Sequence, residues 1–341
     1  MVMHHRKLFA VLVAVALATA SLHSTSFADW TQFSLPNLSD AFAPTAITAL
    51  PDGRYVFAMQ GAYYRQDAFG APGFTAYSNV SPGDNADPSF LAVWDATHAL
   101  AGGGGFGASD LYRFDPSALT APAFTAQGLS LQNYSGVFRD AASLYVGGGN
   151  GSAGNGFGGQ KHSISFVDLA TATSKVIIDN VSTFSGAFAQ DAAGNLYVGN
   201  TDNGNVYKFT AAQLSLAITG SALTLADGAL VYHSINSLGT MAVDALGRIW
   251  TSGFLANGLQ VYDPLTGIET TIVPGLTNAN YMVTAFSVDG QGYVAYANQA
   301  NPFQSGTAQY YGFMAVPEPA TWVLVVAGLG VVAAIRCRRT C

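Results

Sequence analysis

Apolar and polar positions alternate in short runs through the middle of the chain, and the runs come in pairs joined by a turn. The clearest pairs are AFAQDAAGNLYVGNTDNGNVYKF (187–209), TMAVDALGRIWTSGFLANGLQVYDP (240–264) and AFSVDGQGYVAYANQ (285–299). The run GVFRDAASLYVGGGN (136–150) keeps the frame with Ser143 in place of Gly, and 47–59 and 91–103 are weaker copies. Alternation with period two marks half-buried strands, and recurrence at a fixed longer period marks a repeat architecture.

The turn aspartates Asp52, Asp95, Asp140, Asp191, Asp244 and Asp289 stand 43 to 53 residues apart. An Asp that opens a tight turn accepts backbone N–H bonds, and the Gly that closes it tolerates positive φ, so Asp-x-x-Gly joins two antiparallel strands. These aspartates are therefore structural. Most copies continue through a polar loop into a third alternating segment that ends in or near an aromatic residue, at 111–114, 164–166, 206–209 and 259–262. A fourth strand per copy is harder to see.

Four strands repeated six times describe an all-β, six-bladed β-propeller, whose ring closure protects the sheet edges. The segment Trp30 to Leu35 is expected to complete the last blade beside Gln309 to Val316. The 187–210 copy resembles the NHL-repeat and gluconolactonase-like propellers, whose blades carry a similar Asp-x-x-Gly-Asn run. Small residues where the first strands begin (Ser135-Gly136, Ser185-Gly186, Gly239-Thr240) suit six strands converging on a narrow channel.

The two ends carry a different pattern. Residues 1–28 run from basic (His5, Arg6, Lys7) through apolar Leu8–Ala20 to the small-residue site Ser26-Phe27-Ala28, the three parts of a secretory signal peptide. Residues 316–341 contain Pro317-Glu318-Pro319, an apolar stretch from Ala320 to Ile335 and a basic tail of Arg336, Arg338 and Arg339. The prolines keep the tripeptide extended, the apolar stretch can enter a bilayer as a transmembrane sorting helix, and the arginines hold their end on the cytoplasmic side.

This tail resembles the PEP-CTERM sorting signal of Gram-negative bacteria. The resemblance implies that signal peptidase and the membrane protease exosortase process the chain. Exosortase would recognise Glu318 and its prolines after export across the inner membrane. The protein would then pass from a transient membrane anchor to the cell surface or extracellular matrix. Cys337 and Cys341 within the tail depart from the pattern. The ectodomain is then 29–315, between the signal peptide and the sorting signal.

Composition sharpens this picture. The chain is half apolar and 10% charged, with 38 Gly, which disfavours a helical protein. Both cysteines lie in the tail, so the ectodomain holds itself together without disulfides. Residues 29–315 carry 8 Lys and Arg against 18 Asp and one Glu, a net charge of −11 that repels nucleic acid.

Candidate chemistry is sparse. Two literal G-x-G-x-x-G runs, from Gly102 and from Gly149, lie between strand-like segments instead of opening a helix, which removes the dinucleotide reading. Residues Asn200 to Asn205 offer oxygen ligands of the kind Ca²⁺ takes, although a hairpin turn is the better reading. His98, His162 and His233 stand apart, without metal-ligand spacing.

Resemblance to gluconolactonases implies an axial divalent metal held by Glu, Asn and Asp, and a lactonase, hydrolase or lyase is accordingly the alternative function. The ectodomain's single Glu, Glu269, follows a turn at the blade periphery, and the family's ligand set maps onto no matching positions. No catalytic residue, metal or cofactor is therefore assigned.

The remaining signal is the placing of amides. Loops after the second strands hold Asn150, Asn155, Asp202, Asn203, Asn257, Asn298, Gln299 and Asn301, and the segments leading into the first strands bring Tyr134, Phe184 and Tyr281 to the same face. Amides beside aromatic rings suit sugar hydroxyls. The expected partner is an extracellular polysaccharide or a surface protein.

Overall fold

The computed structural model describes residues 30–34, 46–59, 62–77, 90–102, 108–118, 125–148, 161–183, 186–234, 238–253, 258–272, 280–299 and 309–316. Expectations for the signal peptide and the sorting tail lie outside these residues. Among the described residues no helix is long and apolar enough to cross a membrane.

Six antiparallel sheets follow one another along the chain, each led by its innermost strand, and together they form an all-β six-bladed propeller. Blade one is Ala46–Ala49, Tyr55–Met59, Ala62–Gln66 and Phe74–Ala76. Blade two is Phe90–Val93, Ala99–Gly102, Leu111–Phe114 and Thr125–Ala126. Blade three is Ser135–Asp140, Ser143–Gly147, Ile164–Asp168 and Thr173–Asp179. Blade four is Phe188–Gln190, Leu196–Asn200, Asn205–Phe209 and Ala229–His233. Blade five is Thr240–Val243, Ile249–Ser252, Leu259–Asp263 and Ile268–Ile272.

Blade six is built from both ends of the chain. Asn280–Val288, Gln291–Gln299 and Gln309–Ala315 supply three strands, and Thr31–Ser34 adds the fourth, with Thr31 opposite Phe313 and Ser34 opposite Tyr310. Trp30 seats this strand by meeting Tyr296 and Trp250 edge-on, at 4.8 and 6.2 Å between ring centroids. The ring is thus closed by main-chain pairing and aromatic packing, without a covalent link.

The turn chemistry explains the hairpins. Asp52, Asp95, Asp140, Asp191 and Asp244 each accept a backbone N–H from two residues on, and Gly53, Gly194 and Gly247 adopt positive φ. The sixth turn differs from the Asp-x-x-Gly expectation. Val288 pairs with Gln291, so the loop is the two residues Asp289 and Gly290, both at positive φ, as a type I′ hairpin requires.

Apolar side chains of adjacent blades meet in clusters between the sheets. Trp250 and Leu259 of blade five pack on Val294, Tyr296 and Met314 of blade six, and Tyr145 and Ile164 of blade three pack on Phe188 and Val198 of blade four. The glycines at the first-strand starts serve these blade contacts. A Cβ on Gly136 would collide with the Phe90 ring of blade two, and one on Gly186, at φ +120°, would collide with His162.

One helix interrupts the pattern. Helix α1 (Ala211–Thr219) lies between the third and outer strands of blade four, capped by Thr210, whose side chain accepts from Gln213 N–H while Gln213 reaches back. After it, Leu223–Thr224 pairs in parallel with the outer strand of blade three, and Lys175 of that strand donates to Ile218 O and Gly220 O at the end of α1. Blade four is thereby clasped to blade three.

Candidate functional site

The topology divides the molecule into two faces. One, the turn face, carries the connections from first to second and from third to fourth strand in each blade. The other, the loop face, carries the connections from second to third strand and the crossovers between blades.

Along the axis runs a channel of about 450 Å³, walled by the six innermost strands, a volume suited to a small ligand or a short stretch of a larger one. Its polar side chains are Thr48, Ser135, Gln190, Thr240, Thr284 and Ser287, and the rest of the wall is small or apolar, with the Tyr134 ring toward the loop face and Trp94 toward the turn face. Burial pushes the Tyr134 hydroxyl up, so it stays a neutral donor. Among the described residues the lining contains no carboxylate and no imidazole. A divalent metal held by carboxylate and amide oxygens therefore does not fit this wall, nor do the described His, Cys, Asp and Glu form a group that could hold an ion elsewhere.

The amides singled out in sequence reach different situations. Asp202 accepts from both the backbone N–H and the hydroxyl of Thr183, at 2.9 and 2.6 Å, and so ties its loop to the crossover from blade three. Asn203 accepts from Asn205 N–H and Asn200 from Asp202 N–H, so 200–205 is a hairpin turn whose side-chain oxygens satisfy its own backbone. Tyr281 stands opposite Asn298 in blade six. Asn298 is fully buried, and among the described residues neither its Oδ1 nor its Nδ2 has a hydrogen-bond partner. Gln299 ends the second strand of that blade. Asn150, Asn155, Asn257, Asn301 and Phe184 lie outside the described residues, as do the sorting residues Pro317, Glu318, Pro319, Arg336, Arg338 and Arg339 and most glycines of the two G-x-G-x-x-G runs.

Sequence reasoning missed the polar groups buried beneath the loop face. Ser234 donates to Gln260 Oε1 at 2.8 Å and Tyr232 donates to Thr251 Oγ1 at 2.9 Å, stitching blade four to blade five. Burial raises the Tyr232 hydroxyl far above its ordinary value. The signal was available, since Thr251 and Gln260 are polar at positions where a strand's buried side expects an apolar residue.

Between blades three and four, His162 Nε2 meets Ser182 Oγ at 2.9 Å with no exposed surface on either side chain, and burial lowers its pKa to about 4. Both groups are sealed, so this pair is a packing contact. His98 instead pairs with Asp95 in the blade-two turn, and His233 with Asn205. Glu269 lies on the outer strand of blade five, where burial raises its pKa.

Residues 315–339 match the PEP-CTERM protein-sorting motif, which marks an exported protein directed to exosortase and linked to the membrane on its way to the surface. No curated protein matches the chain. Among solved structures, the fold is similar to the gluconolactonase XC5397 of Xanthomonas campestris, at 13% identity and a TM-score of 0.57, covering 85% of this chain and 91% of that one. The PQQ-bound aldose sugar dehydrogenase of Streptomyces coelicolor gives 14% identity and 0.55, covering 85% and 99%. Virginiamycin B lyase of Staphylococcus aureus gives 9% and 0.52, covering 84% and 99%. At such identities the likeness is one of fold alone. The chain carries a PEP-CTERM sorting motif behind a six-bladed β-propeller that resembles the gluconolactonase and NHL-type propellers.

Proposed function

We propose that this is an exosortase-processed surface or matrix protein whose propeller binds without catalysing a reaction, and that its ligand is a hydroxyl-rich extracellular polysaccharide. One observation carries the reading: the axial wall, among the described residues, offers hydroxyls, an amide and aromatic rings, and no carboxylate or imidazole. Neutral donors and acceptors beside rings pair with sugar hydroxyls while the rings cover C–H faces. The loop face, with Tyr134 at the channel mouth, is where such a chain would enter.

The test is co-sedimentation of the exported chain with the producing organism's own extracellular polysaccharide, with and without a chelator. Saturable binding that survives the chelator, and that weakens when Tyr134 becomes Ala, is the expected result. Binding lost on chelation would replace the hydroxyl and amide contact with a metal-dependent one. Absence of binding, together with metal-dependent consumption of a lactone, would replace the proposal with the lactonase reading that the fold neighbours keep open.

A further inference from the structure

Val316, the residue before Pro317, is fixed to blade six at both its backbone groups. Its N–H donates to Gly292 O at 2.8 Å, and its carbonyl accepts from Gln291 Nε2 at 2.6 Å. The strand that leads to it ends beside the start of Thr31–Ser34, so both ends of the folded chain leave from the turn face. From Val316 to Ala320, where the apolar stretch begins, four residues span at most about 14 Å. A bilayer entered at Ala320 therefore lies close to this face and no other.

The apolar side chains agree with that placement. Of the six large hydrophobic residues most exposed among those described, Leu265 (90%) and Ile268 (61%) sit at the outer turn of blade five, on the turn face of the blade next to blade six. Trp94 sits at the first turn of blade two, also on the turn face, and Leu216 lies on α1, which packs along the outer strand of blade three. Val176 and Leu230 lie within outer strands.

We infer that the turn face rests against a lipid bilayer while the C-terminal tail is attached, and that the loop face, with the channel mouth proposed to take ligand, points away from it. This rests on the reading of 320–335 as the membrane-entering part of the sorting motif. The turn face also bears Asp52, Asp67, Asp115, Asp168 and Asp263, which anionic headgroups repel. The tether, with a few apolar side chains, holds the face in place, and a chain ending at Val316 has no hold of its own.

Because residues 29–315 contain no cysteine, single labels can be placed at will. Full-length chain with Cys337 and Cys341 replaced by Ser, carrying a fluorophore at Leu265→Cys or Ile268→Cys on the turn face, or at Ala108→Cys or Lys161→Cys on the loop face, is reconstituted into phosphatidylethanolamine and phosphatidylglycerol vesicles. A headgroup-nitroxide lipid then quenches whichever label lies near the bilayer. The expected result is flotation of the full chain, loss of fluorescence from the two turn-face labels alone, and no flotation of a chain ending at Val316.

Equal quenching on the two faces, or stronger quenching on the loop face, overturns the orientation while leaving the anchor intact. Failure of the full chain to float overturns both readings. Flotation of the chain ending at Val316 overturns the tether as the cause.

Discussion

Asp244 shows how far a turn aspartate can reach beyond its turn. One carboxylate oxygen accepts the N–H groups of Leu246 and Arg248, and the other accepts Arg248 Nε at 2.7 Å and Trp250 Nε1 at 2.9 Å, with Asp244, Arg248 and Trp250 all buried. Removing the carboxylate strands a buried guanidinium, a change that typically costs about 3–5 kcal/mol. Asp244→Ala should lower the unfolding free energy by that order in a denaturant titration, whereas Asp52→Ala, in an exposed turn, should cost about 1 kcal/mol or less. His162 gives a pH signature. Its folded pKa of about 4 lies below the ordinary 6.5, so between these values the unfolded chain holds a proton that the folded chain does not. Stability must then rise as pH climbs from about 4 to 6.5, by about 3 kcal/mol from this group, and level off above. His162→Gln should flatten that part of the curve, and an unchanged slope would assign it elsewhere. The turn aspartates were legible in sequence because turn chemistry is local. What surrounds Asp244 and His162 was not, because it arises only where blades meet.

Elements repeat the same lesson at longer range. Second strands such as Leu196–Asn200 were plain from alternation, whereas outer strands such as Phe74–Ala76 and Thr125–Ala126 are so short that no hydrophobic pattern marks them. Helix α1 escaped the sequence reading although Thr210-x-x-Gln213 is a capping-box signature, since a single helix inside a regular strand repeat is read as part of the next loop. The closing strand was legible, and it carries a direct test. Deleting residues 29–35 leaves the Gln309–Ala315 edge unpaired and uncovers Trp250 and Tyr296. The shortened protein should lose cooperativity in thermal melts and dimerise or aggregate through that edge. Supplying Trp30–Leu35 as a separate peptide should restore part of the lost stability, and failure of both effects would mean that the ring holds without it.

For the whole molecule, the repeat and its count of six could be read along the chain because each blade is a nearest-neighbour unit, and the sorting motif could be read because its three parts are contiguous. The candidate site was only half legible. Loops bearing amides could be assigned to one face from topology, but which described side chains line the channel, none of them an acid or an imidazole, appears only once six strands separated by the full length of the chain stand around one axis. The sharing of blade six between the two ends has a consequence in time. In a chain threaded through a membrane from its N-terminus, Thr31–Ser34 emerges early and must wait for Gln309–Ala315, the last structured segment ahead of the motif at 315–339. The ring cannot shut before the segment next to its sorting motif arrives, so a protein halted part-way stays an open ring.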